Sequence, residues 1–165
     1  MIRSYFQRRR VRKIFERVVT PEAAAAIARG EPLQRQPFTA AQIEFVLVFV
    51  RGDTPEMISE RVGQVAAIAI SRKAVVHGLV CELVVIAFGT HPAISSAVGQ
   101  RAALVEQLGK ELSDHVKVIH GAAAGHYGQI GSGYRMAYGF LLPHFNAILG
   151  RLSSLEFGQI EEFVR

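Results

Sequence analysis

The sequence of 165 residues contains no tryptophan and a single cysteine, Cys81. One cysteine excludes a disulfide within the chain, and a chain without disulfides is typical of a reducing compartment. The longest apolar runs, such as 45–50 and 83–88, are far shorter than the ~18 residues of a membrane-spanning helix. No apolar core of about 7–15 residues follows the basic N-terminus, which argues against a secretory signal. These absences predict a cytoplasmic protein.

The composition is that of a globular domain, with 50% hydrophobic and 20% charged residues. The length fits one domain with its own core. The charge is uneven, because the net charge of the whole chain is +5 while residues 1–17 alone hold seven basic residues and one acid. The basic character therefore belongs to this leading segment, whose cations are Arg3, Arg8, Arg9, Arg10, Arg12, Lys13 and Arg17.

The first 38 residues are predicted to be a helical segment followed by a linker. Apolar residues at helical spacing in 2–19 indicate an amphipathic helix with arginines on its other face. Thr20 and Pro21 are typical of a second helix start. Residues 31–39, with two prolines, are predicted to be a linker. The sequence thus predicts two parts, residues 1–38 and a folded domain over residues 39–165.

The domain is predicted to alternate strands and helices. Residues 41–50 are predicted to form a strand with apolar residues on both faces, as in a strand central to a covered sheet. Asp53 is the predicted cap of the next helix, and Ser95 or Ser96 that of the following one. The predicted order is strand 41–50, helix to about 72, strands 74–80 and 83–88, helix to about 112, strands 116–121 and 123–130, helix 142–155 and strand 157–164. This order predicts an α+β, ferredoxin-like βαββαβ core with an antiparallel sheet, extended at its C-terminus.

The last third of the chain carries motifs that resemble those of class III nucleotidyl cyclase domains, the adenylate and guanylate cyclase family. The resemblance extends from about residue 11 to the end and includes the strand pair around residues 81–89. It implies a ferredoxin-like core and a dimer. The residues that carry it are Val116-Lys117-Val118-Ile119-His120-Gly121, Gly128-Gln129-Ile130-Gly131-Ser132, Arg135-Met136-Ala137-Tyr138, Asn146 and Arg151-Leu152.

The resemblance also implies two metal-binding aspartates, and neither is present in this chain. One position falls on Phe49, whose phenyl ring has no lone pair for a hard cation. The other falls on Glu82, which has a longer side chain. Two divalent ions would hold the triphosphate and activate the ribose 3′-hydroxyl, which requires two converging carboxylates. We therefore expect no metal cofactor; Glu82 is the candidate ligand, with Mg²⁺ or Mn²⁺ bound only if the domain is active.

The base-selecting and transition-state positions also depart from the family pattern. The base-selecting lysine corresponds to Gly78, and its Asp or Thr partner to Pro143 or His144, depending on register. The family spaces its transition-state Asn and Arg four residues apart, whereas Asn146 and Arg151 are five apart. We therefore expect no catalytic residue, and Asn146 and Arg151 are the candidates if one exists.

Simpler roles compete with each functional assignment. Arg151 also fits a solvated cation near a helix C-terminus, and Asn146 a surface hydrogen-bonding residue. Cys81 has no neighbouring cation in sequence that would activate its thiol. The segment 128–132 lacks the Lys-Ser or Lys-Thr of a phosphate-binding loop. The six histidines lack ligand spacing on a single element.

The sequence therefore predicts a catalytically silent cyclase homology domain that acts in signal transduction. It would form a homodimer, or a heterodimer with a cyclase-like or signalling protein, and would act either as a regulatory partner of another protein or as a sensor that binds a nucleotide-like ligand. One alternative is a non-standard adenylate or guanylate cyclase, alone or as half of a heterodimer. A second alternative is an adaptor whose basic N-terminal helix binds nucleic acid or anionic membrane.

Overall fold

The computed structural model describes residue 25 and residues 28–29, 33–89, 99–130 and 134–164. The predicted basic helix over residues 2–19, the helix start at Thr20 and the caps at Ser95 or Ser96 lie outside these residues. Within the predicted second helix, the Arg29 amide donates to the Ala25 carbonyl oxygen at 3.0 Å, as in an α-helical turn.

A six-stranded sheet forms the centre of the domain. Its first four strands are β1 (Leu33–Val50), β2 (Val75–Val80), β3 (Leu83–Ala87) and β4 (Val116–Ile130). They lie in the order β2-β3-β1-β4 and pair antiparallel, which is the ferredoxin-like arrangement that the sequence predicts. At the free edge of β4, β5 (Tyr134–Tyr138) pairs antiparallel and β6 (Ile160–Phe163) pairs parallel.

The sheet is covered on both faces. Helices α1 (Pro55–Ser71) and α2 (Gln100–Leu112) pack on one face, where the buried side chains of β1 are Val46, Val48 and Val50. Helix α3 (Phe145–Ser154) packs on the other face, against Ile43, Phe45 and Leu47. The prediction of a central strand with two apolar faces is therefore confirmed. None of the helices in the described ranges is long and apolar enough to cross a membrane.

Helix α1 begins one residue later than predicted. Thr54, not Asp53, is the N-cap, because its extended backbone lets the Thr54 hydroxyl accept from the Met57 amide at 3.3 Å. Pro55 then occupies the first helical turn, where no amide hydrogen is needed. Asp53 is exposed in the loop before the cap.

Strand β4 is continuous, although two strands are predicted over the same residues. Its pairing with β1 runs from Val116 to Tyr127 without a break. Gly121, next to the predicted break, is a site of close packing, since a Cβ there would lie 2.8 Å from the Phe163 carbonyl oxygen. The glycine therefore makes room for β6 and does not mark a turn.

Strand β1 begins at Leu33, within the predicted linker, so that assignment of residues 33–39 is wrong. Its register with β4 shifts between Gln34 and Thr39. Pro37 lies inside this shift and has no amide hydrogen to donate to the ladder. The same proline thus explains both the linker-like sequence and the local irregularity of the strand.

The β2–β3 hairpin closes through a two-residue turn at Cys81 and Glu82, between the paired residues Val80 and Leu83. Cys81 adopts a φ of +52°, a left-handed conformation that few side chains take readily. The pairing of β2 and β3 overrides this poor turn sequence. Cys81 is exposed as a free thiol.

The C-terminal extension contains one element that the sequence leaves unassigned, the strand β5. After it, a 3₁₀ turn over Leu142–His144 leads into α3. Residues 155–159 then connect α3 to β6. Strand β6 (Ile160–Phe163) is shorter than the strand predicted over residues 157–164. The extension places α3 and β6 beside the first half of β4.

Two histidines are partly buried within this fold. Burial lowers the pKa of His77, whose ring meets the edge of Phe140 at a centroid distance of 5.4 Å. Burial also lowers the pKa of His120, and the Arg101 cation lowers it further, while the Glu162 carboxylate acts in the opposite direction. His120 Nδ1 is buried and has no hydrogen-bond partner among the described residues.

Substitution of Gly89 by alanine is expected to destabilise the fold. Gly89 has a φ of +76°, and a Cβ there would lie 2.3 Å from the Tyr127 hydroxyl oxygen. That hydroxyl donates to the Phe88 carbonyl oxygen at 2.7 Å. Strain of this kind costs about 1–3 kcal/mol, and urea unfolding measures it. The matched control is Gly63→Ala in α1, where no atom obstructs the new methyl group and stability should rise by ~0.5–1 kcal/mol.

Stability is expected to fall as the pH drops below the ordinary histidine pKa of 6.5. The folded-state pKa values of His77 and His120 are lowered, so the unfolded state binds more protons in this window. Urea unfolding should show a smaller loss of stability between pH 7.5 and 5.5 in the double variant His77→Phe, His120→Leu than in the wild-type chain. His115→Gln, at an exposed position, is the control. An equal loss in all three proteins would contradict this account.

Candidate functional site

Phe49, where the family resemblance implies a metal-binding aspartate, lies near the end of β1. Phe49 pairs with Leu83 of β3 on one side and with Lys117 of β4 on the other. Its ring lies 6.3 Å from the ring of Phe157, between centroids, and packs against the core on the α3 face. An aromatic pair therefore occupies the place where the family resemblance implies an oxygen ligand.

Two cations surround the ring of Phe157. The guanidinium carbon of Arg51 lies 5.4 Å from the ring centroid, and Lys117 Nζ lies 5.0 Å from it. Both distances fall within the range of cation–π attraction. The Arg51 amide also donates to the His115 carbonyl oxygen at 2.7 Å, which ties the end of β1 to the start of β4. Two cationic side chains therefore lie against the ring that packs on Phe49.

Glu82 is held near this position through its backbone. Its carbonyl oxygen accepts from the Val50 amide at 2.9 Å, and its side chain is partly buried in the hairpin turn. Across the part of the chain that the structure describes, no three His, Cys, Asp or Glu side chains form a group that could hold a metal ion. One carboxylate beside two cations and two phenyl rings does not fit a pair of divalent cations, which require several oxygen ligands.

The two transition-state candidates lie on different sides of α3. The helix is α-helical from Phe145 to Ser154, so residues five apart are about 140° apart around its axis. Asn146 is exposed, whereas Arg151 Nη1 contacts Glu161 Oε1 of β6 at 3.0 Å. The Arg151 guanidinium also lies over the ring of Phe163, 5.1 Å from its centroid. Arg151 therefore joins α3 to β6, and the fold does not bring the two candidates together.

One of the base-recognition positions lines a cleft. Pro143 helps to line an open cleft of about 650 Å³, together with residues 40–42 of β1, residues 124–126 of β4 and Gly139. Gly78, on β2, is not among the residues lining this cleft. The ring of His144 packs against Phe163 at a centroid distance of 5.7 Å. The cleft is formed mostly by small side chains and presents His126 and Gln42 as its polar groups.

Phe157 is the residue of this site that the sequence does not single out. Lys117 stands within a motif that carries the family resemblance and Arg51 follows the predicted first strand, but their separation along the chain hides their common contact with Phe157. Phe157 follows α3 by a few residues and is brought to β1 only by the return of the chain into β6. In the sequence, Phe157 is the first residue of the strand predicted over residues 157–164, and that position does not indicate a partner.

No protein-family model and no curated protein matches this chain. Solved structures do resemble its fold. A bacterial light-regulated adenylyl cyclase matches with a TM-score of 0.54 at 11% identity, over 92% of this chain and 51% of that protein. The chain therefore spans about half the length of that cyclase.

Two further structures are similar over the same core. The guanylyl cyclase Cya2 matches with a TM-score of 0.47 at 16% identity, over 77% of each chain. The adenylyl cyclase CyaB from P. aeruginosa matches with a TM-score of 0.48 at 13% identity, over 77% of this chain and 79% of that one. The fold of the chain is therefore similar to that of the bacterial light-regulated adenylyl cyclase.

Proposed function

We propose that this chain is a catalytically silent, cyclase-like signalling domain that dimerises and regulates a partner in response to a nucleotide-like ligand. The observation that carries the proposal is the contact of Phe49 with Phe157 at the position where the resemblance implies a metal ligand. A phenyl ring cannot coordinate a divalent cation. The cyclase-like fold supports the signalling role, and the altered site supports the loss of chemistry.

Loss of metal chemistry would leave cyclisation without its main source of charge stabilisation. Two-metal catalysis uses divalent ions to activate the nucleophile and to stabilise the attacking and leaving oxygens. Here Glu82 is the one carboxylate at these positions, and Arg51 and Lys117 lie beside Phe49. Their positive charge disfavours a further cation by direct repulsion. Both features support a domain that binds and does not convert its ligand.

The geometry of α3 supports the same proposal. Asn146 and Arg151 are about 140° apart on the helix, so one bound nucleotide cannot contact both from the same side. Arg151 is already engaged with Glu161 and the ring of Phe163. A role for Arg151 in another subunit's site would require breaking both contacts.

An exposed apolar surface supports dimerisation. Leu142 is 82% exposed and Phe145 42% exposed, on consecutive turns where the 3₁₀ segment leads into α3. Pro143 between them is also exposed. Such a cluster is typical of a surface that another protein covers, and a second copy of the chain is the occupant we propose. A ligand that prefers one dimer arrangement would then shift the population toward it.

The purified chain is expected to form no cyclic nucleotide from ATP or GTP with Mn²⁺. The reason is that Glu82 alone cannot replace the pair of carboxylates. Product formation measured by chromatography is the test, with Glu82→Ala expected to equal the wild-type background. Cyclic nucleotide that disappears in Glu82→Ala but persists in Glu60→Ala, an exposed carboxylate of α1, would instead identify a non-standard cyclase.

A Leu142→Glu, Phe145→Glu variant is expected to weaken self-association by about tenfold or more. Burial of one large apolar side chain contributes ~1.5–3 kcal/mol, and a charge would replace two of them. Sedimentation equilibrium measures the change. Val164→Glu is the matched control, since Val164 is 67% exposed but lies after β6. A monomeric wild-type chain, or unchanged association of the double variant, would contradict this surface.

A further inference from the structure

Arg51 and Lys117 are two cations without a carboxylate partner. The ion pairs among the described residues engage Arg101, Lys110 and Arg151, and neither Arg51 nor Lys117 takes part in one. Asp53 and Glu82, and Glu156 next to Phe157 in the sequence, form no ion pair with either cation in the described part of the chain. The two charges therefore remain available to an external anion.

The fold holds these charges on a shared support. Both cations lie against the same Phe157 ring, at 5.4 Å and 5.0 Å from its centroid. Phe49, paired with Lys117 across the strands, packs behind Phe157. The aromatic pair fixes both side chains at the end of the sheet. Like charges repel each other, and an anion that contacts both would relieve the repulsion.

A third cationic residue, Arg61 of α1, contacts the backbone at the end of β1, although α1 packs on the face of the sheet opposite Phe49. Arg61 Nη1 donates to the Arg51 carbonyl oxygen, which brings its guanidinium to the segment that follows β1. Arg61 is partly buried on this side of the helix. The end of β1 therefore combines guanidinium groups, which can contact two oxygens at once, with the compact charge of a lysine.

We infer that Arg51 and Lys117, supported by Phe157, form a metal-independent site for a polyphosphate group. Protein cations would neutralise the phosphate oxygens directly, at the place where the family resemblance implies divalent ions. The inference deepens the proposed function and rests on it for the identity of the ligand as nucleotide-like. The site would recognise the polyphosphate part of the ligand and would not require a metal ion.

Binding of inorganic tripolyphosphate in the presence of EDTA tests the site. Isothermal titration of the wild-type chain should show saturable binding, and Arg51→Gln, Lys117→Gln should weaken it at least tenfold. The matched control Lys73→Gln, Lys110→Gln removes two exposed cations elsewhere and should bind within about twofold of wild type. All three proteins keep the same N-terminal arginines, so nonspecific attraction to that segment cancels in the comparison.

Two further variants keep the test informative if the double variant does not fold. Arg51→Lys retains the charge but loses the planar donor pair, and Lys117→Gln removes one charge; each should weaken binding several-fold. Equal affinity in wild type and all Arg51 and Lys117 variants would overturn the inference. So would binding that is absent in EDTA and appears only with Mg²⁺ or Mn²⁺.

Comparison of ligands distinguishes free polyphosphate from a nucleotide. Tripolyphosphate that binds as tightly as ATP and GTP would identify a site that reads phosphate alone, and tighter nucleotide binding would add a contribution from the nucleoside. Adenosine and guanosine should not compete in either case. Failure of tripolyphosphate to bind would overturn this site while leaving catalytic silence intact, whereas cyclic nucleotide formation would overturn the proposed function separately.

Discussion

Burial of β1 on both of its faces is the constraint on which the domain depends. Val46, Val48 and Val50 pack beneath α1 and α2, while Ile43, Phe45 and Leu47 face α3 and β6. A strand buried in this way must pair along both edges, because unpaired backbone groups would be costly in the core. Strands β3 and β4 provide those edges. Phe49 lies on this strand and Lys117 on β4, which pairs with it, so the strand positions the centre of the candidate site.

The same strand explains why the candidate site is aromatic and cationic. Phe49 continues the apolar series Ile43, Phe45, Leu47 toward the end of the strand, so an aromatic residue there extends the core outward. The chain after α3 then meets this surface with Phe157. Arg51 and Lys117 project from the ends of adjacent strands and lie against that ring. The end of the sheet is therefore an aromatic and cationic surface.

The C-terminal extension depends on close packing at β4. Gly121 lets Phe163 approach, and the Phe45 ring lies 6.0 Å from Phe140 and 6.4 Å from Phe163, between centroids. Arg151 spans the joint between α3 and β6 through Glu161. A residue that the family resemblance marks as catalytic thus has a structural role here that its exposed position alone would not indicate.

Periodicity and local chemistry in the sequence determined the central strand, the hairpin, the helices and their ferredoxin-like order, because these depend on residues close together in the chain. The family resemblance, and not periodicity, assigned Phe49 and Glu82 to the metal positions. Other features depended on distant contacts. Strand β5, the continuity of β4 through Gly121 and the strand character of residues 33–39 follow from pairing across the sheet, which overrides local signals. Thr54 and not Asp53 is the N-cap of α1 because the backbone of Thr54 is extended, and this shift of one residue could not be predicted from the sequence. Only the tertiary structure brought Phe157 to Arg51 and Lys117 and engaged Arg151 with Glu161, because sequence spacing carries no information about where a returning chain will pack.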